Sequence, residues 1–451
     1  MPVIEKVGRI DALREELVRE LGERGVSTDD RARSRASRDG SYLSPIIQAQ
    51  LPLGLADIVA YPRTTDQVAR TVAAAVRLGV PITPRGKGTA NYGQTLPLHD
   101  GLVLDLSHLR ETLEIADGLA TADAGATMFA LERAANAAGQ QLLMYPSTVG
   151  STLGGFLAGG SGGTGSIVHG PLMQGFVTAL DIVPGTPQPQ ILHVEGTDTE
   201  PYLHNYGTGG IIVRATVRLE PLQPWRACYA AFPGLADALT TIRPLMELSP
   251  GARLISADHP ELAAALPPDP ALEPGSASLR AILDERSLPR AREIIAGAGG
   301  HLTAVREEPA ETFKMSMISY NHPIQWLQKA HPDTYFHVEV SGWNLIDRLD
   351  EVEAVYPAGR LHLEAQQGRP IGMLAGRFRS DDEVIAGFDK LTALGVGFHN
   401  PHQWFVDYEP ERARELAGRT DPHGLLNPGK LVEPTVVTGS RITPFEQGEL
   451  R

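Results

Sequence analysis

Apolar residues recur at helical spacing in two early stretches of the chain. Ile10, Leu13, Leu17 and Leu21 stand among charged residues and predict an amphipathic surface helix. Val68, Val72, Ala75 and Val76 predict another helix over 65–78, and the run Val80-Pro81-Ile82-Thr83-Pro84 behind it reads as a short strand. Alternation takes over later. Stretches 226–232, 252–257, 278–283 and 301–305 read as strands, with helices over 235–248 and 289–295. A proline-rich surface loop (Pro260, Pro267, Pro268, Pro270, Pro274) interrupts them. This double β-α-β order predicts a ferredoxin-like arrangement, an antiparallel sheet backed by helices. Two further strands carry polar stripes. Tyr335, His337 and Glu339 share one face, and so do Arg360, His362 and Glu364. Two readings stay open there, a face built for chemistry and a salt-bridged face turned to solvent.

Between these regions lies a glycine-saturated run, Gly150 to Gly170, in which nine residues are glycine. Glycine lacks a Cβ and accepts positive φ, so such a run lets backbone N–H groups close on a ligand, most simply a diphosphate. A solvated Gly/Ser linker would not need Leu153, Phe156, Leu157, Ile167 and Val168. The run also matches two patterns by accident. Gly160 to Gly165 fits GxGxxG, and Gly159 to Gly163 fits GxSxG, but each pattern demands a helix next, and Ser166-Ile167-Val168-His169-Gly170-Pro171 does not read as a helix start. A better phosphate site is Arg85-Gly86-Lys87-Gly88-Thr89-Ala90-Asn91-Tyr92-Gly93, a basic glycine turn behind a helix and a strand. It is no Walker loop, because Lys87 precedes glycine rather than Ser or Thr.

Read together, these stretches resemble the vanillyl-alcohol-oxidase/PCMH family of FAD-binding flavoproteins, which includes glycolate-oxidase-like FAD-linked oxidases. Asp57-Ile58-Val59-Ala60-Tyr61-Pro62 is similar to the family's opening strand, and Thr83 to Thr89 to its pyrophosphate loop. Ser151-Thr152-Leu153-Gly154-Gly155 with Gly162-Gly163 resembles its second FAD-wrapping segment, and Gly207 to Ile212 its closing strand. Asp421-Pro422-His423-Gly424-Leu425-Leu426-Asn427-Pro428-Gly429-Lys430 is very like its C-terminal signature. The resemblance implies FAD contacts from Pro84, Arg85, Gly86, Lys87, Gly88, Thr89 and Ala90, and from Pro146, Ser147 and Thr148. It implies more from Gly150, Ser151, Thr152, Gly154, Gly155, Ala158, Gly162, Gly163 and Ser166, and from Gly210, Ile211 and Ile212. Asn427 and Lys430 would buttress the domain near the flavin ring, although an Asn-Pro-Gly turn explains them equally. Thr89 stands where covalent members of the berberine-bridge type carry histidine, so non-covalent FAD is expected.

The resemblance sets the expected fold class as α+β, a PCMH-type FAD-binding domain with a ferredoxin-like antiparallel cap domain. Residues 1–50 would form an N-terminal helix and arm, 51–222 the FAD-binding domain, 223–405 the cap, and 406–451 a segment returning to the FAD domain. Pro221 and Pro224 mark the boundary. Arg31, Arg33, Arg35 and Arg38 in the arm read as a solvated face or a subunit contact of a homo-oligomer.

Composition narrows the partners. A net charge of −14 argues against nucleic acid, whose phosphates need a basic surface. The lone cysteine, Cys228, excludes an in-chain iron–sulfur cluster and fits a reducing cytoplasm. No leader pattern and no membrane-spanning apolar stretch is legible.

The implied activity is an FAD-dependent oxidoreductase, oxidase or dehydrogenase. It would remove hydride from a C–H beside a hydroxyl or amine of a small molecule to flavin N5, with O2 or a separate electron acceptor reoxidising the flavin. A base must take the substrate proton, and histidine suits that at neutral pH. His402, in Phe398-His399-Asn400-Pro401-His402-Gln403-Trp404, is the leading candidate, set against a core histidine with a satisfied ring. Pro401 prevents a helix there, so His399 and His402 are no helical metal pair, and no metal is expected. Tyr320, His322, His337 and His362 follow, and Arg377 could anchor an anionic substrate. The alternative is a flavin-binding protein that is redox-neutral or non-catalytic. A nicotinamide-dependent dehydrogenase built on the GxGxxG match is a third.

Overall fold

The structure, a computed structural model, describes residues 3–51, 54–332 and 334–432. The end of the expected C-terminal segment, 433–451, lies outside them. The helix Thr65–Arg77 buries Val68, Val72, Ala75 and Val76, and the Thr64 hydroxyl caps it by accepting from Gln67 N. Its outer side meets the helix Val3–Leu21 through Arg70–Glu20 and Arg77–Glu16 ion pairs, while Leu13 and Leu17 sink into the same core. The N-terminal helix therefore packs as part of the first domain's core, with its charged side outward. In the arm, Arg33 Nε donates to Ala56 O at 2.6 Å, whereas Arg31, Arg35 and Arg38 are exposed.

Two sheets build this domain. Ile58–Ala60, Leu102–Asp105 and Ile82–Arg85 pair in parallel, with Val26–Ser27 added antiparallel at the edge. The other sheet is antiparallel, in the order Leu113–Ala116, Leu119–Asp123, Ile211–Pro221, Val177–Val183, Leu192–Glu195. The glycine run folds between them as a helix, Leu153–Gly159, whose cap is the Thr152 hydroxyl. A single helical turn, Ser166–His169, follows Gly165 at φ 105°, so the expectation of no helix there is corrected. The dinucleotide pattern still fails, because helix rather than strand precedes Gly160.

The cap is one eight-stranded antiparallel sheet. Its strands are β1 (Trp225–Phe232), β2 (Ala252–Asp258), β3 (Ala277–Asp284), β4 (His301–Arg306), β5 (Tyr335–Ser341), β6 (Arg360–Gln366), β7 (Arg369–Arg377) and β8 (Gly397–His399). The order β4-β1-β3-β2-β6-β7-β5-β8 contains two ferredoxin-like units joined edge to edge through β2 and β6. Only the first unit is legible in the strand and helix pattern of the sequence. The expected helix 235–248 divides into Leu235–Leu239 and Ile242–Met246, because the hydroxyls of Thr240 and Thr241 bond back to Asp237 O and Ala238 O. The proline-rich loop also holds a short helix, Pro260–Ala265, with its proline in the first turn.

Helices cover one face of this sheet with Leu239, Ile242, Leu345 and Leu391. The other face mixes apolar residues such as Tyr229, Leu254, Ile282 and Met373 with buried polar ones. Register aligns Arg280 with Ser256 and Glu364, and Asp258 with His362, Met373, Glu339 and His399. The two polar stripes read from the sequence thus belong to one face, and His337, His362 and Glu364 on it are buried, not solvated.

The domains are tied by a buried ion pair. Arg253 on β2 donates to Glu132 at 2.9 Å and to Leu142 O at 2.8 Å, while Glu132 also accepts from Leu142 N at 2.7 Å. Arg253→Ala leaves the Glu132 carboxylate uncompensated in the interior, so unfolding free energy in urea should fall by about 3–5 kcal/mol.

Candidate functional site

A cavity of about 1220 Å³ runs from the glycine turn after Arg85 to this second face of the cap sheet. At the first end, Gly86 packs so closely on Thr152 that a Cβ would strike its hydroxyl oxygen, and Gly88 takes φ +62° beneath the Arg85 guanidinium. The N–H groups of Gly86, Lys87, Gly88, Thr89, Ala90 and Asn91 donate to no acceptor among the described residues. A cradle of unpaired amides beside Arg85 and Lys87 fits a diphosphate. The Thr89 and Ser151 hydroxyls meet at 2.7 Å, and Ser151 Oγ donates to Thr148 Oγ1 at 2.6 Å, locking both FAD-type segments together.

Most of the residues expected to contact FAD line this cavity. Pro84 to Ala90, Pro146 to Thr148, Ser151, Thr152, Gly154, Gly155, Ala158, Gly162 and Gly210 to Ile212 all do. Five do not. Gly150 is exposed with open space around it. Gly163 lies against the Tyr145 carbonyl and donates to Ser166 Oγ at 2.9 Å, so both shape the wall from behind. Asn427, at φ +42°, donates to Gln94 O at 3.1 Å and Tyr206 O at 2.8 Å. Lys430 is fully buried and donates to Gly93 O at 2.5 Å, and burial pulls its pKa down to about 7. These two brace the loop that carries Tyr92.

The catalytic candidates divide. His402 lies outside the lining with both ring nitrogens engaged, Nδ1 with Ser44 Oγ at 2.6 Å and Nε2 with His337 O at 2.7 Å. Burial lowers its pKa to about 4. It is a core histidine with a satisfied ring, which corrects the leading expectation. Arg377 is exposed at the end of β7 and also lies outside the lining. His362 is sealed between Asp258 at 2.7 Å and Glu364 at 3.1 Å. The second contact has ion-pair distance without hydrogen-bond alignment. Burial opposes its charge, but the two carboxylates prevail and raise its pKa to about 9. His337 sits behind the lining against Tyr92.

Tyr320 does line the cavity, together with Asn321 and His322. The buried charges hold this loop: Glu364 accepts from Tyr320 N at 2.7 Å, and Arg280, itself paired with Asp258, donates to Ile318 O at 2.9 Å. His322 is kept neutral, burial and then Lys329 lowering its pKa to about 4, and its Nε2 has no partner. Opposite, His399 lies between Glu339 at 2.8 Å and Asp407 at 2.6 Å, all three on the cavity wall. Burial disfavours its charge, yet Asp407 and Glu339 outweigh that and lift its pKa to about 10. Tyr92, Asn321 and Asp407 also line the cavity and lie outside the residues expected from sequence. Tyr92 had one signal, its place directly behind the phosphate turn, whereas nothing local marks Asp407.

Residues 56–187, which hold the glycine cradle, match the family model described as FAD binding domain. Among curated relatives, the glycolate oxidase subunit GlcD of Bacillus subtilis is 34% identical over 178 residues, 37% of this chain and 37% of that one. The D-lactate dehydrogenase of Archaeoglobus fulgidus is 28% identical over 196 residues, 41% and 44% of the two chains. The chain thus spans less than half the length of these relatives. A solved structure of alkyldihydroxyacetonephosphate synthase superposes with TM-score 0.71 at 17% identity, over 92% of this chain and 85% of that one, which shows a common fold.

Two outcomes are expected here. Gly88→Ala puts a side chain at φ +62° against Arg85. At a strain of about 1–3 kcal/mol, FAD affinity should fall roughly tenfold or more in fluorescence titration of the apoprotein. His399 has a raised folded pKa, so its stabilisation is complete below 6.5 and is lost as pH rises towards 10. The gap in urea stability between wild type and His399→Gln should accordingly narrow across that interval.

Proposed function

We propose that this chain is an FAD-dependent oxidoreductase acting on a small molecule at a carbon that bears a hydroxyl or amine. The observation that carries the reading is the continuity of one cavity from the unpaired amides of the glycine turn to the Tyr320–His322 loop and the Glu339–His399–Asp407 cluster. FAD, when bound, supplies a hydride acceptor. The protein supplies position, charge and a proton acceptor. His322 replaces His402 as the proposed base: the residue lines the cavity, its ring is neutral, and its buried Nε2 has no hydrogen-bond partner. His399 cannot take that part, because both its nitrogens donate to carboxylates. It instead fixes two carboxylates that would otherwise repel across the site.

FAD is held without a covalent bond in this reading. Thr89 offers no nucleophilic ring at the berberine-type position, and its hydroxyl is engaged by Ser151. O2 or a separate acceptor takes the electrons. A cytoplasmic setting is part of the proposal, resting on the single buried cysteine Cys228. No described helix is long and apolar enough to cross a membrane.

The test is an absorption spectrum before and after acid precipitation, then anaerobic additions of glycolate, D-lactate and simple amines. Flavin bands that pass to the supernatant and bleach with one of these compounds are expected. A colourless protein that cannot be reconstituted with FAD would sink the proposal. His322→Ala should keep its FAD and lose about 10²–10⁴-fold in kcat/KM, measured by stopped-flow flavin reduction.

A further inference from the structure

Tyr92 follows the phosphate turn, lines the cavity and is largely buried. Its hydroxyl oxygen meets two cap side chains. Asn321 Nδ2 donates to it at 3.1 Å, and His337 Nε2 lies 2.9 Å away. The direction of the second bond depends on where His337 carries its hydrogen. That ring is neutral, since burial and the neighbouring His402 ring hold its pKa well below the usual histidine value. Its Nδ1 is buried and has no partner.

A hydrogen on Nδ1 would be an orphaned donor in the interior, and Nε2 would then accept from the tyrosine. A hydrogen on Nε2 is satisfied by Tyr92 Oη, leaving the buried Nδ1 with only a lone pair unmet and moving the unpaired donor to the Tyr92 hydroxyl, whose residue lines the cavity. Orphaned buried N–H groups are rarer than unmet acceptors, which selects the Nε2–H tautomer. Backbone geometry fixes the next ring in the same way. His337 O can only accept, so His402 Nε2 donates to it, and the Ser44 hydroxyl donates to His402 Nδ1. Tyr92 Oη therefore accepts from both His337 and Asn321. Its own hydrogen then has no acceptor among the described residues.

We infer that Tyr92 directs its O–H into the cavity as a fixed hydrogen-bond donor to an oxygen of the substrate. His337 and Asn321 are the positioning residues that aim it. The nature of that substrate rests on the oxidoreductase reading, whereas the direction of the hydrogen bonds does not. His337, first considered for catalysis, acts through Tyr92. The bond also crosses the domain interface, so an oxygen bound there would be held by the FAD domain on an axis set by the cap.

The test uses holoenzyme labelled with 15N-histidine, His337 being assigned by difference against His337→Gln. Nitrogen shifts of a neutral ring protonated at Nε2 are expected. A ring protonated at Nδ1 would overturn the inference, and this readout needs no turnover. In parallel, Tyr92→Phe should retain FAD and thermal stability while the Kd for glycolate, read through flavin absorbance, rises about fivefold, as for loss of one hydrogen bond. An unchanged glycolate Kd in Tyr92→Phe also overturns it. If no compound bleaches the flavin but His337 is Nε2-protonated, the oxidoreductase reading fails and the aimed hydroxyl stands.

Discussion

A sheet that turns charged side chains inward must pair every charge it buries, and this constraint organises the molecule. Arg280, Asp258, His362 and Glu364 are all buried on adjoining strands of the cap, where an isolated charge would be prohibitively costly. They balance as two cations and two anions. Part of the remaining hydrogen-bonding capacity goes to the backbone at Ile318 and Tyr320. The network therefore does more than neutralise itself. It fixes the loop that presents Tyr320, Asn321 and His322 to the cavity.

The opposite wall is fixed by a different means. There the chain removes side chains rather than pairing them, and Gly86 and Gly88 let the backbone lie where any Cβ would collide. Lys430 and Asn427 return from the C-terminal segment to grip the carbonyls of Gly93, Gln94 and Tyr206. One wall is held by buried charge and the other by missing side chains. Arg253 and Glu132 bind the two into one frame.

Much of the glycine wall was legible because its logic is local. A glycine where φ must be positive, or a threonine that caps the next turn, leaves a mark at fixed spacing, as at Gly88 and Thr152. The strand alternation around His337 and His362 was equally readable, since side chains two residues apart share a face in any strand. The placing of the polar groups was not. His402 and His399 stand three residues apart in one polar segment, and nothing in that segment says that the first is packed against Ser44 and the second is hydrogen-bonded to Asp407 on the cavity wall. The second ferredoxin-like unit also went unseen, because its last strand, Gly397–His399, is too short to show a period.

The sequence by itself determined the elements, the glycine cradle and the kind of cofactor it suits, since each follows from covalent geometry and residue spacing within a few positions. Tertiary structure alone decided which polar groups meet. The pairing of β2 with β6, two strands about a hundred residues apart, joins the cap halves and places His362 beside Asp258. Whether a histidine is a base, a charge clamp or core filling depends on the neighbours that such long-range register brings to it. Those neighbours set its desolvation and its hydrogen-bond partners, which no local pattern encodes.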